Sequence, residues 1–197
     1  MKAAYVVVEG NSDVEILRAV LDPKLLRSVE IVSAGGQGSI LSLARSLLVR
    51  RSVPVAVFAD SDSLNPEVIG ERREQFEYLV NAAAGRTSSK VVLAVPEVEA
   101  IFFSAPDVIK GVFGQAPPEM MALGLRDPKG VLAQLGSMSH KPWDVRKAFE
   151  MMSPKDLEQL RQTPPIEELT KFLEQVQNGA VLSSSVQSLS EKRHLNG

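Results

Sequence analysis

Tyr5-Val6-Val7-Val8-Glu9-Gly10-Asn11-Ser12-Asp13 decides the architecture. An apolar run from Ala3 to Val8 stops at Glu9-Gly10. A helix-start pattern follows, with Ser12 as N-cap and Glu15 three residues on, the spacing of a capping box. Val14, Ile16, Leu17, Val20 and Leu21 then recur at helical period. The reading is a buried strand over 3–8 and a helix over 13–21. Glu9 falls at the carboxyl end of the strand and Asp13 in the first turn of the helix. In an open α/β sheet, ligands bind in the crevice outside the carboxyl strand ends.

Outward from this stretch the pattern repeats. Val53–Ala59 is an apolar run that ends in Asp60-Ser61-Asp62. Val29–Ser33 is a short β-branched strand. It leads through Ala34-Gly35-Gly36-Gln37-Gly38-Ser39 into an apolar-periodic helix over 40–49. Such a glycine-rich loop either cradles a phosphate on backbone N–H groups, with Gly10, Gly35, Gly36, Gly38 and Ser39 as candidates, or simply makes a tight turn at positive φ. Asn65-Pro66 opens a helix to Ala84. Its Glu67, Glu71, Arg72, Arg73, Glu74 and Glu77 read as a solvated face, and Val68, Phe76, Leu79 and Val80 as the inner one. Lys90–Val95 is a fourth strand. Glu97 and Glu99 follow Pro96, in what reads as the first turn of a further helix. Strands alternating with helices give an α/β fold, a sheet of about four mainly parallel strands flanked by helices.

Acids at several strand ends of one sheet need a reason. A single aspartate there is a turn former. Glu9, Asp13, Asp60 and Asp62 together repel one another unless a cation relieves them, and carboxylate oxygens are the ligands that Mg²⁺ and Mn²⁺ select. Glu97 and Glu99 also suit a helix N-terminus without any metal.

After Ala105 prolines punctuate short helical patterns: 106–113, 118–123, 128–135, 143–151, 154–161 and 166–177. Asp127-Pro128 and Ser153-Pro154 read as N-cap followed by Pro at the first helical position. The organisation expected is an α/β domain over 1–105, a C-terminal all-helical appendage over 106–178 and a Ser-rich flexible tail over 179–197. Lys129 is an exposed first-turn lysine or a cation that meets phosphate charge. Trp143 reads as core.

Net charge is −2, which does not suggest a broad basic surface for nucleic acid. The chain has no cysteine, so disulfides and zinc–thiolate sites are excluded. No apolar stretch approaches the roughly 18–20 residues of a membrane helix. Met1-Lys2 leads directly into a strand without the pattern of a signal peptide, and a cytoplasmic protein is expected.

In order, Glu9-Gly10 with Asp13, then Asp60-x-Asp62, then Pro96-Glu97-Val98-Glu99-Ala100, each at a strand end, resemble the Toprim domain. That domain occurs in bacterial primases, type IA and type II topoisomerases and OLD-family nucleases. The acid at position 13 is most similar to the OLD type, and Asp127-Pro128-Lys129 resembles a lysine-bearing segment of the same group. The resemblance covers the first half and, more thinly, residues 106–135. It implies a Toprim, Rossmann-like fold holding one or two Mg²⁺ or Mn²⁺ ions on Glu9, Asp13, Asp60, Asp62, Glu97 and Glu99. Glu9, Asp60, Asp62 and Lys129 would be the catalytic set. The implied activity is cleavage of DNA or RNA phosphodiesters, in repair or phage defence. OLD proteins carry an ATPase; no Walker motif occurs here, so an ATPase or other partner would be a separate protein. Topoisomerase chemistry does not suit Tyr5, within a strand, or Tyr78, on a polar helix. Two alternatives stand beside the enzyme: a non-catalytic metal- or nucleotide-binding regulatory module, and a plain α/β domain with acidic turns.

Overall fold

The computed structural model describes residues 2–194, with side chains as far as 179. Four strands, β1 (Ala4–Val8), β2 (Val29–Ser33), β3 (Val55–Asp60) and β4 (Ser89–Ala94), form one parallel sheet in the order β2-β1-β3-β4. The helices between them are α1 (Asn11–Val20), the single turn α2 (Pro23–Leu26), α3 (Gln37–Arg51) and α4 (Pro66–Ala84). After β4 comes a 3-10 segment (Val98–Ser104). The short helices α5 (Pro106–Phe113), α6 (Pro118–Gly124), α7 (Pro128–Ser139), α8 (Val145–Met151) and α9 (Pro154–Arg161) follow, then the long α10 (Pro164–His194). Helix α10 runs to His194, through most of the stretch 179–197 where a flexible tail is expected; residues 195–197 and the side chains from 180 onward lie outside the described residues.

Strand alternation sorts the core into two layers, because successive side chains point to opposite faces. Val6, Val8, Ala56, Phe58, Val92 and Ala94 join a core with Ile16, Leu17 and the helical region: Phe102, Ile109, Leu132, Leu135, Leu160 and Leu169. Val7, Val55, Val57, Ala59, Val91 and Leu93 face Ile40, Ala44, Phe76 and Val80 of α3 and α4. The C-terminal helices therefore close one face of the sheet and share its core. Trp143 packs partly buried against that core, with its ring edge-on to Phe102 at 4.9 Å.

Several boundaries differ from the sequence reading. Helix α1 begins two residues earlier than expected, capped by Gly10 and not Ser12: Asp13, not Glu15, turns back to accept the Gly10 N–H at 2.9 Å. The one-turn α2, held by the Asp22 carboxylate on Lys24 N–H, has too few residues to show periodicity. The segment after β4 winds as 3-10 and not α, with Glu97 preceding its first residue. On α4, Val68 is exposed, whereas Arg72 and Arg73 turn inward. Arg73 donates to the Val91 carbonyl and pairs with Glu168 of α10, which also holds Lys90 at 2.7 Å.

Candidate metal centre

The same alternation aims the strand-end acids. Asp60 continues the series Ala56, Phe58 and so faces the layer of α1 and the C-terminal helices. Glu9 continues the parity of Val7 and faces α3 and α4. Each side supplies one cation.

On the first side Asp60 is fixed at both oxygens. Oδ1 accepts from Val98 N–H at 2.9 Å and Oδ2 from Lys129 Nζ at 3.2 Å. Lys129 also reaches Glu97 at 3.2 Å and Glu99 at 3.6 Å, so one ammonium sits among three carboxylates. It arrives there on the first turn of α7, whose cap is Asp127 Oδ1 accepting from Gly130 N–H at 3.1 Å. A Cβ at residue 130 would lie 2.2 Å from Asp127 Oδ2, so glycine is what leaves this cap in place.

On the second side the chain turns out of β3 through Asp62 at φ 52°, a left-handed conformation that aspartate tolerates better than most side chains. The turn is anchored by buried Ser61, whose Oγ donates to the Ser63 and Pro96 carbonyls, and by Asp62 N–H to Pro96 O at 3.0 Å. Asp62 Oδ2 accepts from Arg72 at 3.0 Å and from Gln37 Nε2 at 2.5 Å. Arg72 lies 3.8 Å from Glu9 and over the Phe76 ring. Arg72 and Gln37 were not among the sequence-derived site residues. Nothing in the mixed charge pattern of α4 marks which arginine faces in.

The glycine-rich loop serves this arrangement. Gly35 and Gly36 both take positive φ. Gly36 N–H donates to the Glu9 carbonyl at 2.8 Å, Gly35 N–H to Ser33 Oγ, and Ser39 N–H to the Gly36 carbonyl. With Gly10 N–H on Asp13, four of the five candidate phosphate donors already have protein acceptors, and the loop positions Glu9 and delivers Gln37.

Six carboxylates thus surround two cations. Burial pushes Glu9 up to about 7, reinforced by the charges of Asp60 and Asp62. Burial likewise raises Glu99 to about 7 and Asp60 to about 6, against the opposing pull of Lys129. Burial acts to lower the pKa of the Lys129 ammonium, but the charges of Glu99 and Asp60 outweigh it and the pKa is raised. One oxygen each of Asp60, Asp62 and Glu97 lie within 4.8 Å of one another. Glu9 Oε1 and Glu99 Oε2 are buried and accept no hydrogen bond. An all-oxygen donor set, whose border oxygens meet side-chain cations only at 3.8 Å from Arg72 and 3.6 Å from Lys129, fits a hard divalent cation. Of the sequence-derived set, Asp60, Asp62 and Glu97 converge, Glu9, Glu99 and Lys129 border them, and Asp13 serves the α1 cap while its charge reaches Asp60 and Glu99.

Fold and site define an open parallel α/β protein with a carboxylate-lined strand edge. No protein-family model and no curated protein matches the sequence. Among solved structures it is similar to the C-terminal region of the Xanthomonas campestris pv. campestris OLD protein (15% identity, 94% of this chain and 98% of that one, TM-score 0.47). It is also similar to the C-terminal region of the Burkholderia pseudomallei OLD protein (14% identity, 89% and 98%, TM-score 0.49). No helix of the described residues is long and apolar enough to cross a membrane.

Proposed function

We propose that this protein is a divalent-cation-dependent phosphodiesterase acting on nucleic acid. The observation that carries the reading is the placement of Lys129, within 3.6 Å of Asp60, Glu97 and Glu99 and beside the converging oxygens of Asp60, Asp62 and Glu97. Carboxylates with a lysine at their rim can hold both a cation and the phosphate it neutralises. Asp60, Asp62 and Glu97 would hold Mg²⁺ or Mn²⁺, with Glu9 and Glu99 at the border. When bound, such an ion supplies Lewis-acid polarisation of the phosphoryl oxygen and lowers the pKa of water. Lys129 offers a half-exposed ammonium to the charge that develops on the phosphate. Glu9, raised to about 7, is placed to take or give a proton near neutral pH. Arg72 and Gln37 hold Asp62, and Arg72 also balances Glu9.

The test is cleavage of mixed DNA and RNA with Mg²⁺ or Mn²⁺, beside an EDTA control and Glu9→Gln. Cleavage that needs the ion and is lost in the folded variant is the expected result. Metal-independent cleavage, or an unaffected variant, contradicts the mechanism. Cation binding without cleavage favours the regulatory module.

A further inference from the structure

Next to the acidic cluster, a cavity of about 620 Å³ opens between α7 and the segment that carries Trp143. Its volume lies inside the roughly 300–1,000 Å³ of cavities that enclose small organic ligands. Lys129 and Glu99 form its polar wall, so it is continuous with the candidate metal centre. Leu132, Ala133 and Trp143 form the apolar remainder, with exposed His140 at the rim. Glu99 is 5% exposed, and its Oε2 faces the Lys129 ammonium at 3.6 Å. The cavity thus offers an apolar, aromatic-sided slot that ends at the half-exposed Lys129 ammonium.

We propose that this cavity is a nucleobase subsite. It takes one unpaired base of the nucleotide whose phosphate lies at Lys129. The chemistry that matches it is a planar heteroaromatic ring joined through a sugar to an anion. The ring packs on Trp143 and Leu132, and the phosphate meets Lys129. Duplex cannot present a base this way without extruding it, at a cost of about a few kcal/mol, so the subsite selects single-stranded or frayed ends. This selectivity rests on the phosphodiesterase reading, but occupancy of the slot can be measured apart from cleavage.

Trp143 is the only tryptophan in the chain and a direct reporter. In the metal-free protein, titration with dAMP is expected to quench its fluorescence saturably, and deoxyribose 5-phosphate to leave it unchanged. A short single-stranded oligonucleotide should quench at lower concentration than dAMP if strands are the natural source; the reverse order assigns the slot to free nucleotides. Ala133→Phe fills the slot from an exposed position and should weaken the dAMP response more than tenfold, with thermal midpoint and Mn²⁺ binding unchanged. No saturable quenching in the wild type overturns the proposal. So does quenching by the sugar phosphate equal to that by dAMP, or an Ala133→Phe variant that binds like wild type. Quenching without cleavage under any metal would keep the subsite and remove the phosphodiesterase reading; cleavage without quenching would do the opposite.

Discussion

Glu9, Asp60 and Glu99 are held in the folded protein well above the ordinary carboxylate range, first by burial and then, for Glu9, by the neighbouring acids. The folded protein therefore keeps protons that the unfolded chain has released. For Glu9 and Glu99 the window runs from the unfolded value of 4.5 to about 7, and for Asp60 from 3.8 to about 6. Across it, stability falls as pH rises. The thermal midpoint in EDTA should drop between about pH 5 and about pH 8, at roughly 2–4 °C per kcal/mol for a chain of this size. Saturating Mn²⁺ should flatten the slope, because it binds the deprotonated acids. A metal-free midpoint that rises over the same range would contradict this electrostatic account. Lys129 makes a second prediction at the same scale. Lys129→Met removes the ammonium but no carboxylate, so cleavage should fall about 10²–10³-fold while Mn²⁺ binding is retained or tightened. A variant that loses Mn²⁺ binding as well would make Lys129 a scaffold residue.

At the scale of elements, the site is made by ends. Strand parity sends Asp60 to one layer and Glu9 to the other, and a capped first turn of α7 delivers Lys129. Asp127→Ala should remove the cap at about 1 kcal/mol, lower the midpoint by a few degrees and reduce cleavage, since Lys129 sits in the turn that the cap fixes. Thermal melts and cleavage rates on one preparation check it. Loss of stability with unchanged cleavage would show that Lys129 does not depend on this turn. The same ends were the most legible part of the sequence. The runs that stop at Glu9 and at Asp60 are bounded by their own composition, and the strand that leads to Glu97 is stopped by Pro96. The α7 cap was visible as Asp127-Pro128. Less legible was anything that depends on which side of a polar helix faces inward. Arg72 and Arg73 share α4 with Glu71, Glu74 and Glu77, and only contacts with the turn after β3, with β4 and with α10 separate them. The start of α1 was misplaced because Ser12 and Glu15 offer a local signal as good as the Gly10–Asp13 bond that forms.

For the whole molecule, the C-terminal helices do more than cover the sheet. Phe102, Leu132, Leu135 and Leu160 are buried in the same core as Val6 and Phe58, so α7 and its lysine are fixed relative to the strand ends. Sequence periodicity reveals each short helix but not this shared core, because the contacts join segments distant in the chain. Arg161 of α9, for instance, donates to the Val20 carbonyl at 2.7 Å. Asp127-Pro128-Lys129 marks the lysine in the sequence, whereas its pairing with Asp60, Glu97 and Glu99 depends on the fold.

The proposed chemistry requires these carboxylates to bind a divalent cation. Calorimetric titration of Mn²⁺ into wild-type protein and into Asp60→Asn, in metal-free buffer near neutral pH, tests this directly. Saturable binding to the wild type is expected, with a loss of more than about tenfold in affinity in the folded variant. No saturable binding in the wild type, or equal affinity in both, would contradict it and leave the strand-end acids as turn residues around Lys129 and Arg72.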